Sequence, residues 1–112
     1  MADDTTPLLA GTLDLLILKT LTMGVLHGYG IAQNIRRLSG DALRIEEGSL
    51  YPALQRMHVK GWVTSDSRKT PTGRMARYYK ITASGRRQLN AEEKAFQRSI
   101  TATTLVLRGA ES

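Results

Sequence analysis

The hydrophobic period of this chain changes at Gly61, and the change restricts the order in which its elements can be built. Before that point, apolar residues recur every three to four positions, the spacing of helices with a buried face. Beyond it, residues 62–67 and 75–82 are rich in aromatic and β-branched side chains and read as strands. Between these runs lies Arg68-Lys69-Thr70-Pro71-Thr72-Gly73-Arg74, whose Pro71 and Gly73 are turn formers, so the pair is a hairpin. Thr82 is suited to cap a helix, and helical spacing returns over residues 83–107. The expectation is a mainly α chain with one small β-hairpin.

The first helix is expected over residues 8–23, capped by Thr6 and opened by Pro7. Leu13, Ile17 and Leu21 mark one face, while Leu15, Leu16 and Leu18 cover much of the remainder. A helix apolar nearly all round must be buried on more than one side, and 112 residues make a small core. A second subunit is the expected cover. Gly24 and Gly28 punctuate a turn, and a short helix over residues 29–38 turns Ile31 and Ile35 inward and Gln33, Arg36 and Arg37 outward. Residues 42–45 suggest a brief extended segment. In the last helix, Leu89 and Phe96 fall seven apart, as do Ile100 and Leu107, forming a stripe for a partner helix. Leu13, Leu16, Ile17, Leu89, Phe96, Ile100 and Leu107 are therefore the expected dimerisation residues.

Residues 47–57 hold an apparent contradiction: Leu50, Ala53, Leu54 and Met57 follow helical spacing, yet Pro52 stands among them. An interior proline loses a hydrogen bond and clashes with the carbonyl four residues back, at about 3 kcal/mol. With Ser49 as N-cap, Pro52 falls in the first turn, where its missing N–H is no loss. The outward face then carries Ser49, Pro52, Gln55 and Arg56, with Tyr51 at its edge and no carboxylate after Glu47. Such a face suits a DNA groove. Taken alone, it suits an ordinary solvated helix better.

Charge decides between the two. The chain carries 16 Lys and Arg against 10 Asp and Glu, a net charge of +6. No acid occurs from Ser67 to Ala91, a span with seven basic residues, including Lys69, Arg74 and Arg77 on the hairpin. Solvated hairpins mix signs; a single-sign hairpin beside an acid-free helix is what phosphate contacts require. Three helices followed by a hairpin is the order of a winged helix-turn-helix, with the hairpin as wing. Cysteine is absent, which excludes thiol chemistry and Cys-type zinc sites. His27 and His58 lie far apart with no acidic pair at ligand spacing, so no metal or other cofactor is expected. His27, in a turn, is expected to hydrogen-bond near a helix start. Glu46-Glu47 and Glu92-Glu93 lack a nucleophile or pocket, and the chain is not expected to be an enzyme. The acidic start and the absence of long apolar runs point to the cytoplasm and away from a membrane.

The blocks GTLDLLILKTL, LHGYGI, EEGSLYPALQRM, KGW, RYYKIT and TASGRRQL resemble the successive motifs of the PadR family of bacterial transcriptional regulators, from Gly11 to Leu89. The resemblance implies a winged helix-turn-helix domain over residues 8–82 and a C-terminal dimerisation helix over 83–108. It further implies a homodimer that represses transcription by binding double-stranded operator DNA, with a palindromic operator. Ser49, Tyr51, Pro52 and Gln55 match the family's DNA-contacting block, with Arg56 beside them, and Lys69, Arg74 and Arg77 match its wing more loosely. Some relatives bind flat small-molecule effectors through aromatic residues of the last helix, where this chain has only Phe96. His58-Val59 stands where relatives often carry an acid. A winged-helix module that binds an acidic protein is the alternative reading of the same surface.

Overall fold

A computed structural model describes residues 11–111. Its elements run α1 (Thr12–Leu21), β1 (Leu26–His27), α2 (Gly28–Leu38), α3 (Glu47–Val59), β2 (Val63–Lys69), β3 (Met75–Ile81) and α4 (Ala83–Ala110). The strands form one antiparallel sheet in the order β1-β3-β2. The winged helix-turn-helix order expected from the sequence is present, with α4 appended. The expected cap at Thr6 and Pro7, and the helix start at residue 8, lie outside the described residues.

The core is a single cluster. Ile17 and Leu18 of α1, Ile31 of α2, Leu50, Leu54 and Met57 of α3, and Val63 of β2 are almost wholly removed from water. Tyr79 and Ile81 of β3 and Leu89 of α4 close it from the sheet side. Thus α1 is covered largely by its own chain: α2, β3 and α4 pack on it, and Leu13, Leu15 and Leu16 are half-buried against the same cluster. Two of the expected dimerisation residues belong to this core. Ile17 and Leu89 are 0% and 4% exposed within the protomer, so neither has surface left for a second subunit.

Helices α2 and α3 stop where the backbone turns left-handed. After α3, the Trp62 N–H donates to the Met57 carbonyl at 2.9 Å and the Gly61 N–H to His58 at 3.1 Å, with Gly61 at φ 77°. These paired bonds satisfy carbonyls that a helix end leaves bare, and glycine supplies the required φ without strain. Gly40 plays the same part after α2, with the Asp41 N–H reaching the Arg36 carbonyl at 2.8 Å.

Pro52 lies deeper than the sequence suggested. The N-cap is Glu46, not Ser49, and α3 begins at Glu47, which makes Pro52 its sixth residue. The Gly48 carbonyl therefore lacks the donor that any other residue at 52 would supply. Both residues are exposed, so the carbonyl is open to water. The earlier start puts Glu47 in the first turn, where negative charge suits the helix dipole. The extended segment expected over residues 42–45 is irregular chain without a strand partner, although Leu43 and Ile45 pack on the core.

Where the wing meets α4 the contacts are close. Thr82 caps α4 as expected, its hydroxyl oxygen accepting from the Gly85 N–H at 3.0 Å. The same hydroxyl lies 2.7 Å from the Gly61 carbonyl and 3.0 Å from that of Trp62, while the Thr82 N–H donates to Trp62 at 3.0 Å. A Cβ on Gly85 would stand 2.1 Å from the Trp62 oxygen and 2.8 Å from Cγ1 of Ile81. Neither the backbone at Trp62 nor the strand residue can retreat without opening the core. Gly85→Ala is expected to destabilise the chain by about 3 kcal/mol or more, as overpacking against rigid neighbours does. Gly48→Ala, with nothing within 4 Å of its Cβ, should be neutral or stabilise slightly. Denaturant unfolding of both variants checks the contrast.

Candidate nucleic-acid interface

The face of α3 opposite the core is open. Leu50, Ala53, Leu54 and Met57 are buried, and Ser49, Tyr51, Pro52, Gln55 and Arg56 are exposed, as the helical spacing requires. Ser49 and Gln55 make no side-chain hydrogen bond among the described residues, so their donors and acceptors are available. Arg56 is not free in the same way. Its Nη2 donates to Oδ1 of Asp14 on α1, tying the edge of α3 to the neighbouring helix.

The hairpin adds a second wall, and its register determines which cations belong to it. Val63 pairs with Ile81, Ser65 with Tyr79, Ser67 with Arg77 and Lys69 with Met75. Residues directly opposite share a face, and successive residues alternate. Tyr79 and Ile81 point into the core, so Lys69, Met75 and Arg77 point to the same side, beyond the core's edge. Arg68, Tyr78 and Lys80 lie on the outer side with Asp66, the one carboxylate of the two strands. Arg68 is spoken for there: its Nε donates to Asp66 at 3.0 Å and its guanidinium lies 5.6 Å from the Tyr78 ring. The inner side holds cations without acids. Lys69 and Arg74 have no ion-pair partner among the described residues, and Arg77 donates only to Ser65 Oγ, at 3.1 Å.

Between wing and helices runs a groove of about 650 Å³ lined by His27, Tyr29, Gln33, Tyr51, Arg74 and Arg77 among others. On the other side of Tyr51 lies a second, of about 670 Å³, lined by Arg36, Arg37 and Arg44. Tyr29, Gln33 and Tyr51 border both. Sequence reasoning missed Tyr29 and Arg44. The signal for Tyr29 was its place straight after the Gly28 turn; its ring is 64% exposed and stacks on that of His27 at 6.3 Å. His27 sets that corner: its Nδ1 accepts from the Gly30 N–H at 2.9 Å and caps α2, and its ring meets Tyr78 edge-on at 5.2 Å. The helix-start role expected of His27 is what the structure has. Burial, opposed by the Arg77 guanidinium, lifts the Tyr79 phenol above its usual 10.0. That ring therefore adds no negative charge beneath the groove at physiological pH.

Tyr51 is held by what it touches. A Cβ on Gly28 would fall 2.8 Å from its Cε1 and Oη, so in its present place the ring leaves no room for a side chain at residue 28. No group of three or more His, Cys, Asp or Glu that could hold a metal occurs among the described residues. No helix among them is long and apolar enough to cross a membrane.

Residues 17–91 match the family described as the Transcriptional regulator PadR-like family. A transcriptional regulator of Mycobacterium tuberculosis is 32% identical over 71 residues, 63% of each chain. A PadR family transcription regulator from Clostridium difficile superposes with a TM-score of 0.74 at 26% identity, covering 87% of this chain and 99% of that one. The structure of Bacillus subtilis PadR in complex with operator DNA gives a TM-score of 0.63 at 26% identity, over 71% of this chain and 46% of that one.

The contact at Gly28 is testable without any ligand. Gly28→Ala should displace the Tyr51 ring, which is 44% exposed and free to swing, at a stability change within about 1 kcal/mol. The expected readout is a shift of the Tyr51 ring proton resonances with little change in Tm. Unchanged ring resonances would show that the contact is not constraining.

Proposed function

The chain belongs to the PadR-like family of transcriptional regulators, whose members are not enzymes, and from that premise we propose that it is a homodimeric repressor that grips operator DNA between α3 and the inner side of the wing. One observation carries the reading: the register that places Lys69 and Arg77 on the same side as the exposed face of α3, which carries no acid beyond Glu47 in its first turn. Ser49, Tyr51, Pro52 and Gln55 enter the major groove, where hydroxyl, amide and ring meet base edges. Lys69, Arg74 and Arg77 take backbone phosphates and release their counterions. The relative from Bacillus subtilis in complex with operator DNA supports this use of the fold.

The long helix supports the dimer. Of the 28 residues of α4, only Gly85 and Leu89 are buried. The face that Leu89 begins continues through half-buried Phe96 to Ile100 and Leu107, which are 40% and 62% exposed. A second copy of α4, with Leu13 and Leu16 at its flank, covers that stripe and places two reading helices about a two-fold axis. Inverted half-sites follow, about one helical turn apart, roughly 34–36 Å. Occupancy of such a site excludes other proteins from it, which is repression. A small molecule wedged beside Phe96 would release the DNA by disturbing this packing.

Two sets of variants test the reading. Lys69→Ala should lower the slope of log affinity against log salt by about one, whereas Lys80→Ala on the outer side should leave it nearly unchanged. Equal effects would remove the inner side of the wing from the interface. Ile100→Glu combined with Leu107→Glu should give a monomer in sedimentation. For the native dimer, five base pairs inserted between half-sites should cost about tenfold or more in affinity, since one half-site then faces away. Affinity retained after that insertion would contradict the two-fold geometry.

A further inference from the structure

Among the described residues, Arg56 is the one side chain on the outward face of α3 held by an ion pair within the protomer, and how it is held defines a role for its partner. Asp14, in the first turn of α1, is only 18% exposed at its side chain, whereas Arg56 is 47% exposed. The carboxylate is thus anchored and the guanidinium is not buried with it. Only Nη2 is committed, to Asp14 Oδ1. A guanidinium presents five N–H donors in a rigid plane, so a carboxylate bonded at one edge orients the remaining donors. Those on Nε and Nη1 have no partner among the described residues, and helical spacing places Arg56 beside Ser49 and Pro52 on the open face.

An ion pair this exposed contributes little to stability. Its effect on a ligand is larger, because an arginine tethered in one rotamer has already lost the side-chain freedom that binding would otherwise remove. We propose that Asp14 is a positioning residue: it holds Arg56 with its free edge outward, as a ready-made clamp for a backbone phosphate alongside the reading helix. Arg56 then contributes to grip and register, and base reading falls to Gln55 and its neighbours. The proposal rests on the assignment of α3 as the DNA-reading helix. The competing role for Asp14 is a screen that occupies Arg56 and weakens DNA binding, and the two differ in sign.

The test uses the full chain and duplex DNA selected from random sequence, with binding measured across a salt series. Asp14→Ala and Asp14→Asn each remove a negative charge, so nonspecific attraction to a polyanion should rise. Positioning predicts the opposite: affinity falls about three- to tenfold, and the salt slope drops by about one, as for a lost phosphate contact. Arg56→Ala should give the same loss, and the double variant no more than either alone, because both remove one contact. Thermal unfolding of Asp14→Asn, which preserves shape, should shift by no more than a few degrees. A merely structural role would move Tm and leave the slope alone. Affinity equal to or above wild type in both Asp14 variants, or losses that add with Arg56→Ala, would overturn the proposal. Gln55→Ala separates this from failure of the underlying assignment. An unchanged sequence preference in that variant would show that α3 is not the reading helix, whatever Asp14 does.

Discussion

The carbonyl of Trp62 is approached from three directions, and the placement of the wing depends on it. The Thr82 N–H and hydroxyl each lie 3.0 Å away, and Gly85 presses its bare Cα against the same oxygen. The residue in the middle follows the left-handed stop of α3, and its two neighbours open α4. One contact therefore ties the end of the third helix, the exit of the hairpin and the start of the long helix. A partly buried carbonyl needs donors: the Thr82 N–H supplies one, the single hydroxyl proton is shared between the Trp62 and Gly61 oxygens, and the hydroxyl oxygen still caps the next helix. With that corner closed, β2 and β3 have one register against the core.

From that register follows the electrostatic division of the wing. A slip of β2 by one residue would send Lys69 outward and bring Asp66 and Arg68 in beside Arg77, replacing a one-sign wall with an internally neutralised one. Burial of Val63, Tyr79 and Ile81 prevents the slip. The hydrophobic core thus determines which cations face the groove, although none of them belongs to it. Each exposed cation contributes modestly alone; at the proposed interface their joint effect would be the release of counterions from the DNA. The Gly28 contact does for Tyr51 what the register does for the wing, setting a surface group by means of a packed one.

Much of this was legible in the sequence because its signals are local. The four inward residues of α3, the Thr82 cap, the Gly61 stop and the hairpin each depend on spacing or on one residue's conformational preference. The misreadings have physical causes of another kind. Pro52 pointed to a nearby helix start, but an exposed helix tolerates a missing bond where water reaches the carbonyl, so α3 begins three residues sooner than a start capped at Ser49 needs. β1 is two residues long, too short for any alternation to register. Ile17 and Leu89 look like interface residues on a wheel, and only tertiary packing of α4 across α1 turns them inward. Arg56 and Asp14 are separated by 42 residues, and nothing at either position announces the other.

The central claim is that α3 and one side of the wing face DNA together. Backbone and arginine side-chain resonances of the full chain, followed by NMR as a selected duplex is added, test it most directly. The account predicts large shifts at Ser49, Tyr51, Gln55, Lys69 and Arg77, with the outer-side residues Asp66, Arg68 and Lys80 nearly still. Shifts concentrated on Asp66, Arg68 and Lys80, with Gln55 and Arg77 unmoved, would contradict it.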